Sequence, residues 1–475
     1  MRIIRRRAAF PPLGLLTVAA MLPDFWQKKL IDMNVSKLKD EDIRWADYVL
    51  VSAMITQKES AKEVIRRCNE LGVKVIAGGP LFTTGYEEFN GVGHFFVGEA
   101  EDTFPVFLDD LEKGCARKIY ASDVRPDIAK APIPLWRLIN PKNYVSLSIQ
   151  NSRGCPYNCE FCDIVVMNGR IPRVKSAEQF LAEISAIRKT GFRGMVLVVD
   201  DNFIGNKAKV KASLRKLMDW QKKNGHPFSF STEASINLAD DEKLMDMMVE
   251  AGFDQVFLGL ETPSSAGLSE CGKVQNENRD MVASVKKIQR FGLHTAGGFI
   301  VGFDSDSQRI FEDQIRFIQE SGVVVAMVGL LTALPKTKLY ERLLKEGRIL
   351  KVSTGNNTDC FLNFIPKMDG KVLMEGYKRV IKTIYSPKKY YERMCAFLKE
   401  YKPRGKAGKR MDWISLRAFA MSIWYIGIVG RRNYKWYYWK TLFMAFFKYR
   451  KAFPEAVAML IWGLHLLKVA EMISE

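Results

Sequence analysis

The stretch Arg153-Gly154-Cys155-Pro156-Tyr157-Asn158-Cys159-Glu160-Phe161-Cys162 places three cysteines within eight residues, directly after the apolar run Val145 to Gln150. Outward from this point strands and helices alternate. Val145 to Gln150, Met195 to Val199, Phe228 to Thr232, Gln255 to Leu260, Thr295 to Val301 and Val323 to Leu331 read as strands. Ala177 to Lys189, Lys207 to Lys223, Asp241 to Ala251, Asn278 to Phe291 and Gln308 to Glu320 read as the helices between them. Six such units predict a partial or closed barrel, in which chemistry sits on loops after the carboxyl ends of strands. The cysteine stretch is the first of those loops.

Three thiolates in one tight loop can bind three irons of a cubane cluster and leave the fourth iron without a protein ligand. A structural zinc site needs four ligands. The fourth would come from Cys68, Cys115, Cys271, Cys360 or Cys395, none of which shows paired spacing. The later strand ends are also polar or glycine-rich. Asp200-Asp201-Asn202 closes the second strand, Glu233 follows the third, Glu261 ends the fourth, and Gly297-Gly298-Phe299-Ile300-Val301-Gly302-Phe303-Asp304 ends the fifth. Each has a bland alternative: a helix cap before Asn206 for the aspartates, a surface carboxylate for Glu233, plain turns for the glycines. Their recurrence at successive strand ends favours a site.

The cysteine loop resembles the signature of the radical S-adenosylmethionine (SAM) superfamily, Cys-x3-Cys-x-aromatic-Cys, with Phe161 as the aromatic residue. The resemblance implies a [4Fe-4S] cluster on Cys155, Cys159 and Cys162 and SAM chelated at the open iron. It also implies one-electron cleavage to a 5′-deoxyadenosyl radical, with the electron coming from an external donor of flavodoxin or ferredoxin type. On the same footing, Asp200, Asp201 and Asn202 are placed to hold the methionyl ammonium and Glu233 the ribose. Glu261 and Gly302 lie where the backbone approaches the adenosine.

Further motifs narrow the resemblance: Pro11-Pro12-Leu13-Gly14-Leu15-Leu16, Gly78-Gly79-Pro80, Thr232-Glu233-Ala234-Ser235-Ile236-Asn237 and Gly355-Asn356-Asn357-Thr358. Together they are similar to the cobalamin-binding radical SAM enzymes with an extra C-terminal domain, a subgroup that includes hopanoid C-2 methylases and archaeal membrane-lipid ring synthases. The implied organisation is a cobalamin-binding-like domain over 1–120, a linker over 121–143, the barrel over 144–335 and a helical substrate or membrane-associating domain over 336–475. The implied reaction is methylation or carbon–carbon bond formation at an unactivated carbon of a membrane lipid. Two departures stand out. The chain opens almost at Pro11-Pro12, so the first strand of the cobalamin domain is expected to be missing. That domain has one histidine, His94, and no Asp-x-His-x-x-Gly pattern to supply a cobalt ligand.

From Trp26 to Gly114 the residues themselves predict a doubly wound parallel sheet. Leu30-Ile31-Asp32-Met33, Tyr48 to Ala53, Lys74 to Ala77 and Phe95-Phe96-Val97 read as strands and Gln57 to Leu71 as a helix. Gly78 and Gly79 then lie at a strand's carboxyl end, where such sheets receive ligands. Pro126, Pro132, Pro134 and Pro141 mark the linker.

Eight cysteines in 475 residues are too sparse for a disulfide scaffold and point to the cytoplasm. Arg2, Arg5, Arg6 and Arg7 precede the apolar stretch Leu13 to Leu22, but Gly14 and Pro23-Asp24 do not make a signal peptide. No apolar run is expected to reach the roughly 20 residues that span a bilayer. Lys371 to Glu475 carries 22 Lys+Arg against 7 Asp+Glu, a surplus of +15 within the chain's +19. From Met411 onward 15 aromatic residues interleave with those cations, which suits peripheral contact with the inner face of an anionic membrane. A helical subdomain packed on the barrel fits the same composition. The charge also suits RNA, as in radical SAM tRNA methylthiotransferases. Those carry further N-terminal cluster cysteines, and here only Cys68 and Cys115 are available. A non-enzymatic cluster or cobalamin binder is disfavoured by the polar strand ends.

Overall fold

The computed structural model describes residues 6–351, 353, 355, 361–404 and 413–474. Arg2, Arg5, Asn356 to Thr358 and Cys360 lie outside them.

In the N-terminal sheet, neighbouring residues of a strand feed different cores. Helix α1 (Leu13–Met21) and the short α2 (Asp40–Arg44) precede β1 (Tyr48–Ser52). Then follow α3 (Lys58–Glu70), β2 (Lys74–Gly78), α4 (Pro80–Gly85), β3 (His94–Val97), α5 (Thr103–Glu112) and β4 (Ile119–Ala121). The strands are parallel in sequential order. Val75, Ala77 and Phe95 pack with Val64, Ile65 and Phe82 on one face, and Ile76 and Phe96 with Phe104, Phe107 and Tyr120 on the other. Among the described residues no strand precedes Tyr48. Leu30 to Met33, expected as a strand, is instead irregular chain that enters a turn at Met33: the Asp32 carboxylate accepts the Asn34 backbone N–H at 2.9 Å and the Tyr144 hydroxyl at 2.9 Å.

The second sheet starts with β5 (Leu147–Ile149), after which a small antiparallel hairpin, β6 (Ser152–Arg153) with β7 (Arg173–Val174), brackets the cysteine loop and α6 (Ile164–Asn168). Helix α7 (Ala177–Lys189), β8 (Gly194–Val198), α8 (Lys207–Lys223), β9 (Phe228–Ala234), α9 (Glu242–Ala251) and β10 (Phe253–Glu261) continue the alternation. It ends with α10 (Ser265–Glu270), α11 (Met281–Arg290), β11 (His294–Val301), α12 (Ile310–Ser321) and β12 (Val325–Leu330). All six strands are parallel in the order β12-β11-β10-β9-β8-β5, with no pairing between the two ends, so the barrel is partial. Val196, Val198, Phe228, Phe230, Val256, Leu258 and Val301 are buried beneath the helices. The opposite face is concave and more accessible.

The C-terminal part is helical: α13 (Lys338–Lys345), α14 (Gly370–Ile384), α15 (Pro387–Glu400), α16 (Trp413–Ser422), a π-helix over Ile423–Ile428, α17 (Arg432–Lys448) and α18 (Phe453–Ser474). Helix α14 runs beside the edge strand β12, where the Tyr385 hydroxyl receives the Ala326 N–H at 3.1 Å and donates to its carbonyl at 2.7 Å. One expectation is corrected here. The helical run Arg450–Ser474, 25 residues with a mean hydropathy of 1.7 in its best window, is long and apolar enough to cross a membrane. The uninterrupted apolar run ends at Leu467, but Lys468 is a single charge that the helix carries through. In the fold it packs against α14, α15 and α17.

Candidate functional site

The cysteine loop is braced on three sides. From the end of β8, the Asp200 carboxylate accepts the Asn151 backbone N–H at 2.7 Å and the Ser152 hydroxyl at 2.6 Å. Burial pushes its carboxyl up to about 6. Asp201 accepts the Gly154 N–H at 2.7 Å and the Asn168 side-chain amide at 3.0 and 3.1 Å. Gly154 has φ +97°, and a Cβ there would stand 2.8 Å from the Ile171 carbonyl oxygen. Neither aspartate caps the helix that follows; Asn206 does, accepting the Lys209 N–H at 3.2 Å. Asn202 turns its amide toward the Cys155 sulfur at 3.8 Å and the Ser235 hydroxyl at 3.1 Å.

From the loop after α10, the Cys271 carbonyl accepts the Glu160 N–H at 2.8 Å, and the Gln275 amide approaches the Cys159 sulfur at 3.9 Å. Lys273, on the same loop, is buried against Glu261 at 2.6 Å. Its charge opposes the effect of burial on Cys155 and Cys162, which raises both thiols, Cys162 to about 12. From α13, Arg342 holds the Glu160 carboxylate at 2.6 Å. Phe161 lies against Phe303, ring centroids 6.4 Å apart, with the Lys273 ammonium 6.0 Å from its ring centre.

Other expected site residues differ in accessibility. Glu233 lies within β9, which runs on to Ala234, and its side chain opens onto the concave face. Surrounding protein and then Asp201 push its carboxyl up to about 7. Glu261, by contrast, is buried with φ +60° and committed to Lys273. Gly302 has φ +107°, and a Cβ there would meet Leu373 of α14 at 3.1 Å, so its open side is filled by protein. In the N-terminal sheet Gly78 ends β2, and Gly79 has φ +88° with room for no Cβ, which would lie 2.5 Å from the Ser52 hydroxyl. Gly98, just after β3, faces open space. His94 sits at the opposite, amino end of β3 with its Nδ1 2.6 Å from the Arg117 carbonyl, away from any ligand edge.

Several functional residues carry no motif in the sequence. Glu99, just past β3, meets Arg173 at 2.6 and 2.9 Å and Arg153 at 2.6 Å, and Glu101 meets Arg153 at 2.7 Å. These ion pairs join the ligand edge of the first sheet to the residue two before Cys155. Two glutamates immediately after a strand, as in Gly98-Glu99-Ala100-Glu101, are the one signal that could have found them. Lys273 and Gln275 lie in a polar loop without even that.

The donor set fits a cluster. Three cysteines share one loop, and in a cubane each thiolate binds a different iron. The N-terminal edge fits a large planar ligand, since Ser52, Gly78, Gly79 and Gly98 leave it without bulky side chains.

A cysteine loop at the mouth of a partial parallel barrel, with a ligand-edge sheet locked to it, defines a radical SAM enzyme carrying a cobalamin domain. Residues 2–108 match the B12 binding domain, 149–318 the radical SAM superfamily and 337–475 a domain of unknown function. The chain belongs to the cobalamin-dependent radical SAM methyltransferases. It is 34% identical to the hopanoid C-2 methylase of Rhodopseudomonas palustris over 91% of this chain and 83% of that protein. It is 38% identical to an uncharacterised methyltransferase of Synechocystis over 100% of this chain and 89% of that one. Its fold is that of the radical SAM methyltransferase TsrM from Kitasatospora setae (TM-score 0.67, 12% identity, 97% of this chain and 99% of that). The cobalamin-dependent enzyme OxsB is similar too (TM-score 0.63, 14% identity, 99% and 80%). The enzyme uses a [4Fe-4S] cluster, SAM and cobalamin and depends on an external electron donor.

Proposed function

We propose that the enzyme methylates, or forms a carbon–carbon bond at, an unactivated carbon of a polycyclic membrane lipid of the hopanoid kind. The observation that carries this reading is the concave face of the barrel. Strand register sets Phe257 beside Glu233, Gly259 beside Gly298, Gly298 beside Met327, and Ile300 beside Gly329. On this face β10 to β12 offer Phe257, Ile300, Val325 and Met327 around a strip of glycines, with the Phe257 ring lying against Gly298 and the Glu261–Lys273 pair over Gly259. Met327 is 53% exposed. On β5, β8 and β9 the same face carries Ser148, Ser231 and Glu233 beside Leu197. Such an apolar face suits a flat hydrocarbon presented to a polar reaction edge.

In this reading Cys155, Cys159 and Cys162 hold the cluster, with Phe161 shielding it. Asp200, Asp201 and Asn202 position the loop that carries it. Glu233 accepts the ribose hydroxyls of SAM, the Glu261–Lys273 pair sets the charge beside the cluster, and Gly302 shapes the strand end. Gly78 and Gly79 let cobalamin lie on the first sheet. When bound, the cluster and SAM supply reductive cleavage and hydrogen abstraction, and cobalamin supplies the methyl carrier. The functional division follows 1–120, 144–335 and 336–475, joined by the linker 121–143. The donor is a flavodoxin or ferredoxin, and the C-terminal helices rest on the inner face of the membrane. Against RNA modification, Cys68 is buried within α3 and Cys115 is solitary on the surface, which leaves no second cluster set among the described residues.

The test compares lipid extracts of a deletion strain, the strain restored with the wild-type gene, and the strain restored with Cys155, Cys159 and Cys162 all replaced by Ala. A methylated or coupled lipid should vanish, return, and stay absent respectively. Unchanged lipids with altered tRNA nucleosides would overturn the lipid reading. Retention of about four irons by the reconstituted triple variant would overturn the cluster assignment.

A further inference from the structure

Helices α15, α17 and α18 enclose a cavity of about 250 Å³ that the reaction does not account for. Tyr390, Tyr391, Met394, Tyr438, Leu460 and Leu464 form much of its wall. Arg431, paired with Glu471 at 2.6 Å, and Lys468 are exposed at its mouth. Its place in the fold separates it from the cysteine loop. His294, the first residue of β11, packs between the rings of Phe397 in α15 and Trp462 in α18, at 5.0 and 5.6 Å. A Cβ on Gly322, before β12, would meet the Phe397 backbone at 3.0 Å. These helices therefore sit at the amino ends of the barrel strands, while the cysteine loop follows the carboxyl end of β5. A strand of the length of β11 separates the two ends by roughly 25 Å.

The cavity is built at some cost. Gly463 lies inside α18, where glycine is less favourable than alanine. A Cβ there would strike the Tyr390 ring at 2.6 Å, so the glycine lets Tyr390 reach the Met459 carbonyl at 2.7 Å and form the wall. A π-helix, Ile423–Ile428, runs up to the rim residues Val429 and Gly430, and such helices recur at functional sites. Val429, which lines the cavity, is 60% exposed, and Arg432 adds a second exposed cation beside Arg431.

We propose that this cavity is an accessory lipid site that takes one hydrocarbon chain of an anionic phospholipid, whose phosphate meets Arg431 and Lys468. Apolar walls answer the chain, and the cationic rim with the exposed apolar Val429 beside it answers the phosphate end at a bilayer interface. The proposal rests on the reading that the C-terminal helices meet a membrane, but not on the identity of the substrate.

The test titrates the full chain with fluorescently labelled phosphatidylglycerol and phosphatidylcholine, each kept dilute enough to remain monomeric. Saturable binding that favours phosphatidylglycerol is expected. Leu464→Trp, which fills the cavity, should weaken both lipids roughly tenfold or more. Lys468→Glu should remove the preference for phosphatidylglycerol and keep chain binding. Val429→Trp narrows the mouth from an exposed position and repeats the test without touching the packed wall, should Leu464→Trp lower the melting temperature. Absence of saturable binding, or wild-type affinity in both tryptophan variants, overturns the proposal. Cosedimentation with anionic vesicles reads the membrane docking separately: its loss with monomeric lipid binding intact refutes docking and leaves the cavity site standing.

Discussion

Glu99 stands between three arginines. Arg153 and Arg173 reach it at 2.6 Å and Arg125 at 3.7 Å, and its own side chain is 8% exposed. Taking Glu99 away leaves Arg173 without a carboxylate while Arg153 keeps Glu101, at a cost of about 1–3 kcal/mol. Glu99→Gln should therefore lower the stability of the chain by that order in urea unfolding and speed hydrogen exchange over the 152–162 segment. Glu99→Asp should recover part of both. His294 makes a second prediction of known sign. It is buried with neither ring nitrogen hydrogen-bonded, and burial lowers its pKa from 6.5 to about 4. Below pH 6.5 the unfolded chain takes up a proton that the folded ring refuses until about pH 4. Stability is thus lost as pH falls through that window and is untouched by this group above it. His294→Phe should flatten the pH–stability curve between those limits, by on the order of 3 kcal/mol at the acid end.

Elements were legible where a strand or helix was long enough to show its period. The barrel strands are apolar runs bounded by amphipathic helices, and Ala177–Lys189 and Lys207–Lys223 form with the bounds expected. Leu30 to Met33 carries the same local signal, yet Asp32 is held by the Asn34 N–H and, 112 residues on, by the Tyr144 hydroxyl, a partner invisible in the run itself. The short α4, α5 and β4 escape the pattern for local reasons. Pro80 opens α4, whose six residues are too few to show a period, Pro105 falls in the first turn of α5, and β4 has only three residues, preceded by the cations Arg117 and Lys118. At the site, the cysteine spacing was readable because all three ligands share one loop. The bracing partners were not, since Asp201 reaches Gly154 and Glu99 reaches Arg153 across 47 and 54 residues of chain. The edge of β12 offers a prediction at this scale. Tyr385 satisfies both the N–H and the carbonyl of Ala326, so Tyr385→Phe leaves a donor and an acceptor unpaired in a buried place. A loss of about 1–3 kcal/mol is expected, with faster hydrogen exchange at the Ala326 amide than at its neighbours.

Across the whole molecule, charge and apolar surface are both concentrated in the C-terminal helices, and these helices are also part of the core. Phe397 and Trp462 wall in His294, and Met394, Phe397, Tyr438, Ala445 and Met459 belong to the same buried cluster as the barrel. A chain ending near Arg410 would expose that surface and would not isolate membrane binding, so surface substitutions are the sharper tool. Trp424 and Trp436 are 55% and 66% exposed, and Phe447 is 68% exposed. Cations near an anionic surface contribute about 1 kcal/mol each and fade with salt, whereas inserted rings do not. Wild-type protein should therefore cosediment with anionic vesicles in low salt and keep a fraction bound in high salt. Trp424→Ser combined with Trp436→Ser and Phe447→Ser should lose the salt-resistant fraction while iron content and melting temperature stay unchanged. Arg432→Glu with Lys435→Glu should instead weaken the salt-sensitive part. Equal vesicle binding by all of these variants, or none by the wild type, would return the exposed aromatics to the role of ordinary surface on a packed subdomain.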